Sequence, residues 1–304
     1  KDTSFNFFAD SSDIIIKNIK GSTVGVYIKN GSLQFIKGKD IKINSEFTSE
    51  INLAGVDIKR YLPMLKNLNF INQDTKLIAN IDNFIKISFD KTFKVIDYEY
   101  NNKGKAKELS FKFEKPIKNL FLKDKINDLF LKDTIFDIYF NSDKKNELNT
   151  SGTYSLDNKN FQKFNLKNNF INKDLKLDLS FDTQHEINLD LINFKKEKDK
   201  VANINIDLKK QKNFLKIKKF NYVENKNIIS IENLEIDKGK FSSLKKIKVK
   251  TYHKDKIKND FIFEFGKKII ISGNKYDANN LNKYLNTKTN NNYLKNINKE
   301  IDID

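Results

Sequence analysis

Leu175-Lys176-Leu177-Asp178-Leu179-Ser180-Phe181 carries an apolar residue at every odd position and a polar one at every even position. Successive side chains of a β-strand point to opposite faces, so this spacing builds a strand with one greasy face and one wet face. The same alternation returns in Ile187-Asn188-Leu189-Asp190-Leu191 and in Ile204-Asn205-Ile206-Asp207-Leu208. Further strands are expected at Ile14–Ile19, Val24–Ile28, Leu33–Ile36, Lys76–Ile81, Phe84–Phe89, Phe93–Tyr100, Leu109–Phe113 and Ile135–Phe140. The C-terminal half adds Phe214–Phe220, Ile228–Ile236, Ile247–Tyr252, Phe261–Phe265 and Lys268–Ser272. This makes roughly fifteen or more strands, far beyond one immunoglobulin-like unit.

The connections are short and polar. Lys29-Asn30-Gly31-Ser32 has the Asn-Gly pair suited to a type I′ hairpin turn, so neighbouring strands should meander antiparallel. Only Pro63 and Pro116 interrupt the chain, and no Pro-rich or Ser/Gly-rich linker separates two halves. Residues 1–304 therefore read as one continuous β-sheet segment with no internal boundary. Short helices are expected where alternation breaks. Asp57 precedes the stripe Ile58, Tyr61, Leu62 and Leu65, Asp277 opens a similar segment running to Leu285, and a weaker helical turn falls near Lys125–Leu131.

Apolar residues make up 38% of the chain, below the roughly 45–50% usual for globular proteins. There is enough apolar surface for one good face per strand, but not for two. The net charge of +17 invites a phosphate-bearing partner. However, the excess is almost wholly lysine, Arg60 being one of very few arginines, and it is spread along strands amid Asn, Ile and Phe. An AT-rich genome accounts for that composition without nucleic acid.

Catalytic chemistry finds no foothold. The chain has no Cys, which removes thiol nucleophiles, disulfides and Cys-based zinc sites. His185 and His253 are far apart and turn-like, and neither has a nucleophile elbow or a His-Glu-x-x-His partner. Asp178 and Asp182 fall on the polar side of a strand among lysines. Gly152 and Gly273 read as isolated turn glycines, not as a phosphate cradle, so no nucleotide cofactor or metal is expected. The expectation is a protein that is not an enzyme and has no cofactor.

A sheet with one greasy face must cover it with another sheet, with helices, or with something other than protein. Periodicity leaves three possibilities open: a closed sandwich or barrel of structural or adhesive role, a basic sheet that binds nucleic acid, and a curved sheet whose concave face holds acyl chains. Phe214-Leu215-Lys216-Ile217-Lys218-Lys219-Phe220 bears on the second, since Phe214, Lys216 and Lys218 share one face while Leu215, Ile217 and Lys219 take the other.

Ile269-Ile270-Ile271-Ser272-Gly273-Asn274-Lys275-Tyr276-Asp277-Ala278-Asn279-Asn280-Leu281 resembles the strand, Gly, aromatic-Asp-Ala and helix near the end of the AsmA-like C-terminal region. Gly55-Val56-Asp57-Ile58-Lys59-Arg60-Tyr61-Leu62-Pro63 and Asp97-Tyr98-Glu99-Tyr100 are similar to the branch of that bacterial superfamily with the DUF3971 domain. The resemblance implies an all-β, long, curved, mainly antiparallel sheet with an apolar concave groove and a few short capping helices. It implies a segment of a bridge-like protein of Gram-negative bacteria, carrying phospholipid acyl chains across the periplasm between the inner and outer membranes. The inner-membrane anchor and the contacts with both membranes would lie outside this chain, and nucleic acid would not be a partner. Groove-lining candidates are Leu175, Leu177, Leu179, Phe181, Ile187, Leu189, Leu191, Ile204, Ile206 and Leu208.

Overall fold

A computed structural model describes residues 3–55, 57, 58, 74–117, 125–171, 174–280 and 300–303. The protein is all-β, and its strands form antiparallel meanders as the alternation demands. The chain divides into two compact units, one of residues 1–117 and 126–172, the other of residues 118–125 and 173–304.

The first unit is a meander of nine strands: β1 (Thr3–Ala9), β2 (Asp13–Thr23), β3 (Val26–Lys37), β4 (Ile41–Ala54), β5 (Lys76–Phe89), β6 (Val95–Ile117), β7 (Ile126–Asn141), β8 (Lys145–Ser155) and β9 (Gln162–Ile171). Each pairs antiparallel with the next. Leu53 and Ile58 form its buried apolar cluster, with Val26, Ile51, Leu77 and Phe111 packed around them.

The second unit comprises β10 (Asp174–Thr183), β11 (Ile187–Leu189), β12 (Phe194–Lys196), β13 (Ala202–Gln211), β14 (Phe214–Glu224), β15 (Asn227–Asp237), β16 (Lys240–Ser243), β17 (Lys246–His253), β18 (Lys256–Phe265), β19 (Ile269–Lys275) and β20 (Ile301–Ile303). Among the described residues β11 and β12 pair only with each other, as a small hairpin apart from the main sheet. β20 runs parallel to β19, and all other pairs are antiparallel. Among the described residues no pairing joins β1 to β9 or β10 to β20, so each unit's sheet stays open.

Several local expectations are corrected. Asn30-Gly31 lies inside β3, and the turn before that strand is made by Val24 and Gly25, the latter with φ +71°. Gly25 can adopt that left-handed conformation without steric cost, which moves the hairpin upstream of the Asn-Gly pair. Residues 126–131 belong to β7 rather than to a helix, because Leu129 and Leu131 extend the alternation and pair with Phe111 and Leu109. Ile58 is helical, as expected, but so are Gly55 and Asp57, so the helical turn starts before the expected cap at Asp57; the rest of that segment lies outside the described residues. Asp277 and Ala278 are irregular and 279–280 form a turn in which Asp277 accepts from the Asn279 N–H, while 281–285, the rest of the expected helix, lie outside the described residues. Gly152 sits within β8 and Gly273 within β19, where a side chain at Gly273 would collide with the Asp260 carbonyl oxygen.

Bulges redirect faces along the longer strands. The register of β13 against β14 shifts between Asp207 and Leu208, leaving Lys218 as the extra residue. Asn233 on β15 has φ +49° in the same part of the sheet. A bulge moves every later side chain to the opposite face, so Lys219 joins Asp207 and Glu232 on the polar side. The sequence reading, which placed Lys219 with Leu215 and Ile217, did not contain that extra residue.

Candidate functional site

Register in the second unit assembles the alternating residues into apolar rows that cross the strands. Phe181, Ile204, Tyr222, Ile229, Val249 and Phe261 stand side by side from β10 to β18. Next to them run Leu179, Ile206, Phe220, Ile231, Ile247, Phe263 and Ile271. A third row is Leu177, Leu208, Ile217 and Leu234, and a fourth contains Leu175, Lys210, Leu215, Ile236 and Phe241. Directly opposed residues of antiparallel strands share a face and touch, so these rows form a continuous apolar surface.

The β11–β12 hairpin lies over the first row. Ile187, Ile192 and Phe194 are buried together with Ala202, Ile204, Tyr222, Ile229 and Val249, and the Phe194 ring meets Tyr222 edge-on at 5.7 Å. Its tip is a 3-10 turn at 190–192 followed by Asn193 in the left-handed conformation. Polar side chains tie that tip down. Asn259, fully buried, donates to the Ile192 carbonyl at 2.9 Å and to Thr251 Oγ1 at 2.8 Å, and its own carbonyl accepts from the Asp277 N–H at 2.9 Å. Tyr276 donates its hydroxyl to the Leu191 carbonyl at 2.7 Å, and Asn193 Nδ2 donates to Asp277 Oδ2 at 3.1 Å. Burial works against the Asp277 carboxylate, but the Asn193 amide, the Asn279 N–H and the Lys258 ammonium together hold its pKa below the usual range.

The base of the hairpin is held by Lys196, which is fully buried and donates to the carbonyls of His185 and Glu197 at 2.9 and 3.0 Å. Desolvation pushes its pKa down, opposed by the Glu224 and Asp199 carboxylates. Glu224 in turn accepts from the Tyr222 hydroxyl at 3.0 Å and Asn227 Nδ2 at 3.1 Å. Burial, then the Glu224 charge, raises the Tyr222 pKa.

The lining candidates fall into two groups. Leu175, Leu177, Leu179, Phe181, Ile204, Ile206 and Leu208 stand together on the sheet, whereas Ile187 and Leu189 belong to the hairpin that covers it. Ile187 and Ile204 are buried within the hairpin cluster. Leu191 lies past the end of β11, in the 3-10 turn, and is 44% exposed. The remaining sheet candidates are half-buried. Sequence reasoning missed Ile192, Phe194 and Asn259, although the apolar doublet Leu191-Ile192 breaks strict alternation and marks where β11 stops.

His185 serves through its backbone carbonyl, and His253 is exposed at the end of β17. Asp178 and Asp182 lie opposite Asp207 and Asn203, on the side away from the apolar rows. On that polar face lysines meet carboxylates across strands, as in Lys216–Glu235 and Lys246–Glu264, each at 2.9 Å. Among the described residues no three His, Asp or Glu side chains converge as metal ligands.

Comparison with protein-family models, curated proteins and solved structures finds no match to this chain.

Proposed function

We propose that this protein carries lipid acyl chains on the apolar face of its sheet, as a segment of a phospholipid-transfer protein of the bacterial cell envelope. The observation that carries this reading is the set of rows beyond the hairpin. Leu177, Leu208, Ile217 and Leu234, with the neighbouring Phe263 and Ile271, are half-buried and stand outside the buried cluster that the hairpin forms. A surface of this kind is stabilised by an occupant that brings methylene groups, each worth about 0.8 kcal/mol when kept from water. The work needs no catalytic group, only a continuous lining and a polar reverse face.

The resemblance of the 269–281 segment to the AsmA-like region supports placing the protein in the periplasm, tethered to the inner membrane by an anchor outside this chain. The same segment has a physical task in the fold, since Tyr276 and Asp277 fasten the hairpin that borders the open rows. Lipid extraction and mass spectrometry of the purified protein should recover phospholipid. A fully folded sample that holds no lipid, and takes none up from phospholipid vesicles, would exclude the proposal.

A further inference from the structure

In the fourth apolar row of the second unit, Lys210 stands between Leu175 on β10 and Leu215 on β14. Both leucines are half-buried and Lys210 is exposed. Parity and register put it on the greasy side of the sheet, whereas its neighbour Lys209 faces the other way and pairs with Asp174 at 3.7 Å. Lys216, Lys245 and Lys246 of the same unit likewise have carboxylate partners, Glu235, Glu232 and Glu264. Lys210 has neither an ion-pair nor a hydrogen-bond partner for its ammonium among the described residues. A lysine can lay its stem along apolar neighbours while its charged head stays wet.

We infer that Lys210 is the anion contact for an amphiphile whose chain lies on the apolar rows beside it. This inference rests on the acyl-chain reading above and adds the chemistry of the head group, a phosphate or a carboxylate joined to the chain. Charge complementarity selects that occupant. Lys210 sets a positive charge beside the apolar rows, which an uncharged apolar ligand would not use, and a free anion would not use Leu175 and Leu215. A charge-assisted contact at this position adds affinity and fixes which end of the amphiphile lies at this end of the rows.

The test is a fluorescence titration of the whole purified chain at neutral pH with cis-parinaric acid and with its methyl ester, which has the same chain and no charge. The acid should bind more tightly than the ester. Lys210→Met should weaken the acid by about tenfold, leave the ester unchanged, and be rescued by Lys210→Arg. Equal binding of acid and ester, or an acid affinity that Lys210→Met does not alter, overturns the role of Lys210 while leaving the acyl-chain reading intact. Failure of both probes to bind overturns that reading itself. Competition identifies the source of the anion. Lysophosphatidic acid or oleate should displace the probe, and whichever loses more affinity in Lys210→Met carries the preferred head group. Displacement by inorganic phosphate at the same concentration would refute an amphiphile.

Discussion

The two units are built by the same rule and differ in what they do with polar residues on the greasy face. In the first unit the strands are long, 14 residues in β4 and β5 and 23 in β6. Their apolar rows, such as Ile14, Phe35, Ile43, Ile87 and Tyr98, are interrupted midway by Asn83 and Asn102 beside Phe47 and Ile138. Asn83 is satisfied through the Phe47 and Ile81 carbonyls and Ser49 Oγ, at 3.1–3.2 Å. The carbonyl oxygens of Asn102 and Asn168 are buried without a hydrogen-bond partner. In the second unit Thr251, Asn259 and Glu224, on this side near the strand ends, lie beneath the hairpin and are hydrogen-bonded, while Lys210 stands exposed in the row farthest from it. A polar residue among apolar rows therefore has two meanings. A buried, hydrogen-bonded one in the second unit marks where protein covers the sheet, and in the first the asparagines divide the apolar surface into bands.

Removing the cover should have the largest effect. Phe194→Ala takes away a ring that is 6% exposed and packed on Tyr222, and should cost about 3–5 kcal/mol in urea unfolding. A loss below about 1 kcal/mol would mean that the hairpin contributes little and that the units do not differ in covering. The next pair sharpens the contrast because the same substitution should act with opposite sign. Asn259→Leu abolishes bonds to Ile192, Thr251 and Asp277 and should destabilise by about 2–4 kcal/mol. Asn102→Leu replaces a half-buried side chain whose carbonyl oxygen has no hydrogen-bond partner by an apolar one beside Ile138, and should stabilise by about 1 kcal/mol. Destabilisation by Asn102→Leu comparable to that of Asn259→Leu would show that the Asn102 amide is engaged.

The sequence made the antiparallel, one-sided character of the sheet legible because period-two alternation is a local property of each strand, whereas it left an open sheet and a closed sandwich or barrel equally compatible. Leu175–Phe181 and Ile204–Leu208 could be placed on one face before their register was known, and the register then set Leu177 against Leu208 and Phe181 against Ile204. Two kinds of information were hidden. Bulges such as the one at Lys218 depend on the partner strand, so the face of Lys219 could not follow from its own neighbours. The hairpin was hidden because Ile187-Asn188-Leu189 alternates like a sheet strand, yet pairs with Phe194–Lys196 and turns its apolar side down onto the sheet. Alternation reports that a face is greasy but not what covers it. β1, β4, β8 and β9 were missed for the plainer reason that Phe7-Phe8, the polar runs Asn44-Ser45-Glu46 and Lys167-Asn168-Asn169, and the Asn, Thr and Ser of 146–153 blur the alternation.

The smallest expected effects separate the units by pH. In the first, Asp157 in the turn between β8 and β9 accepts from the Asn160 and Lys159 N–H groups at 3.0 and 2.9 Å and from Ser155 Oγ at 2.7 Å, which together hold its pKa well below the ordinary value. A carboxyl with a lowered folded-state pKa adds stability above the ordinary carboxylate range, and that stability is lost as the pH falls through the folded-state value. Asp157→Asn should therefore cost less than about 1 kcal/mol at neutral pH, the group being largely exposed, with the deficit shrinking toward acid. In the second unit the buried Lys196 has its pKa lowered, so the folded state binds fewer protons than the unfolded chain. Its penalty is full below the folded-state pKa and fades as the pH rises toward the ordinary lysine value, so the parent should gain stability relative to Lys196→Met in the alkaline range. Thermal unfolding of the parent and both variants across pH tests the pair of signs. Parallel curves for Lys196→Met and the parent above neutrality would mean that the lysine titrates alike folded and unfolded, and the hairpin would then lack the dry base that distinguishes its unit from the first.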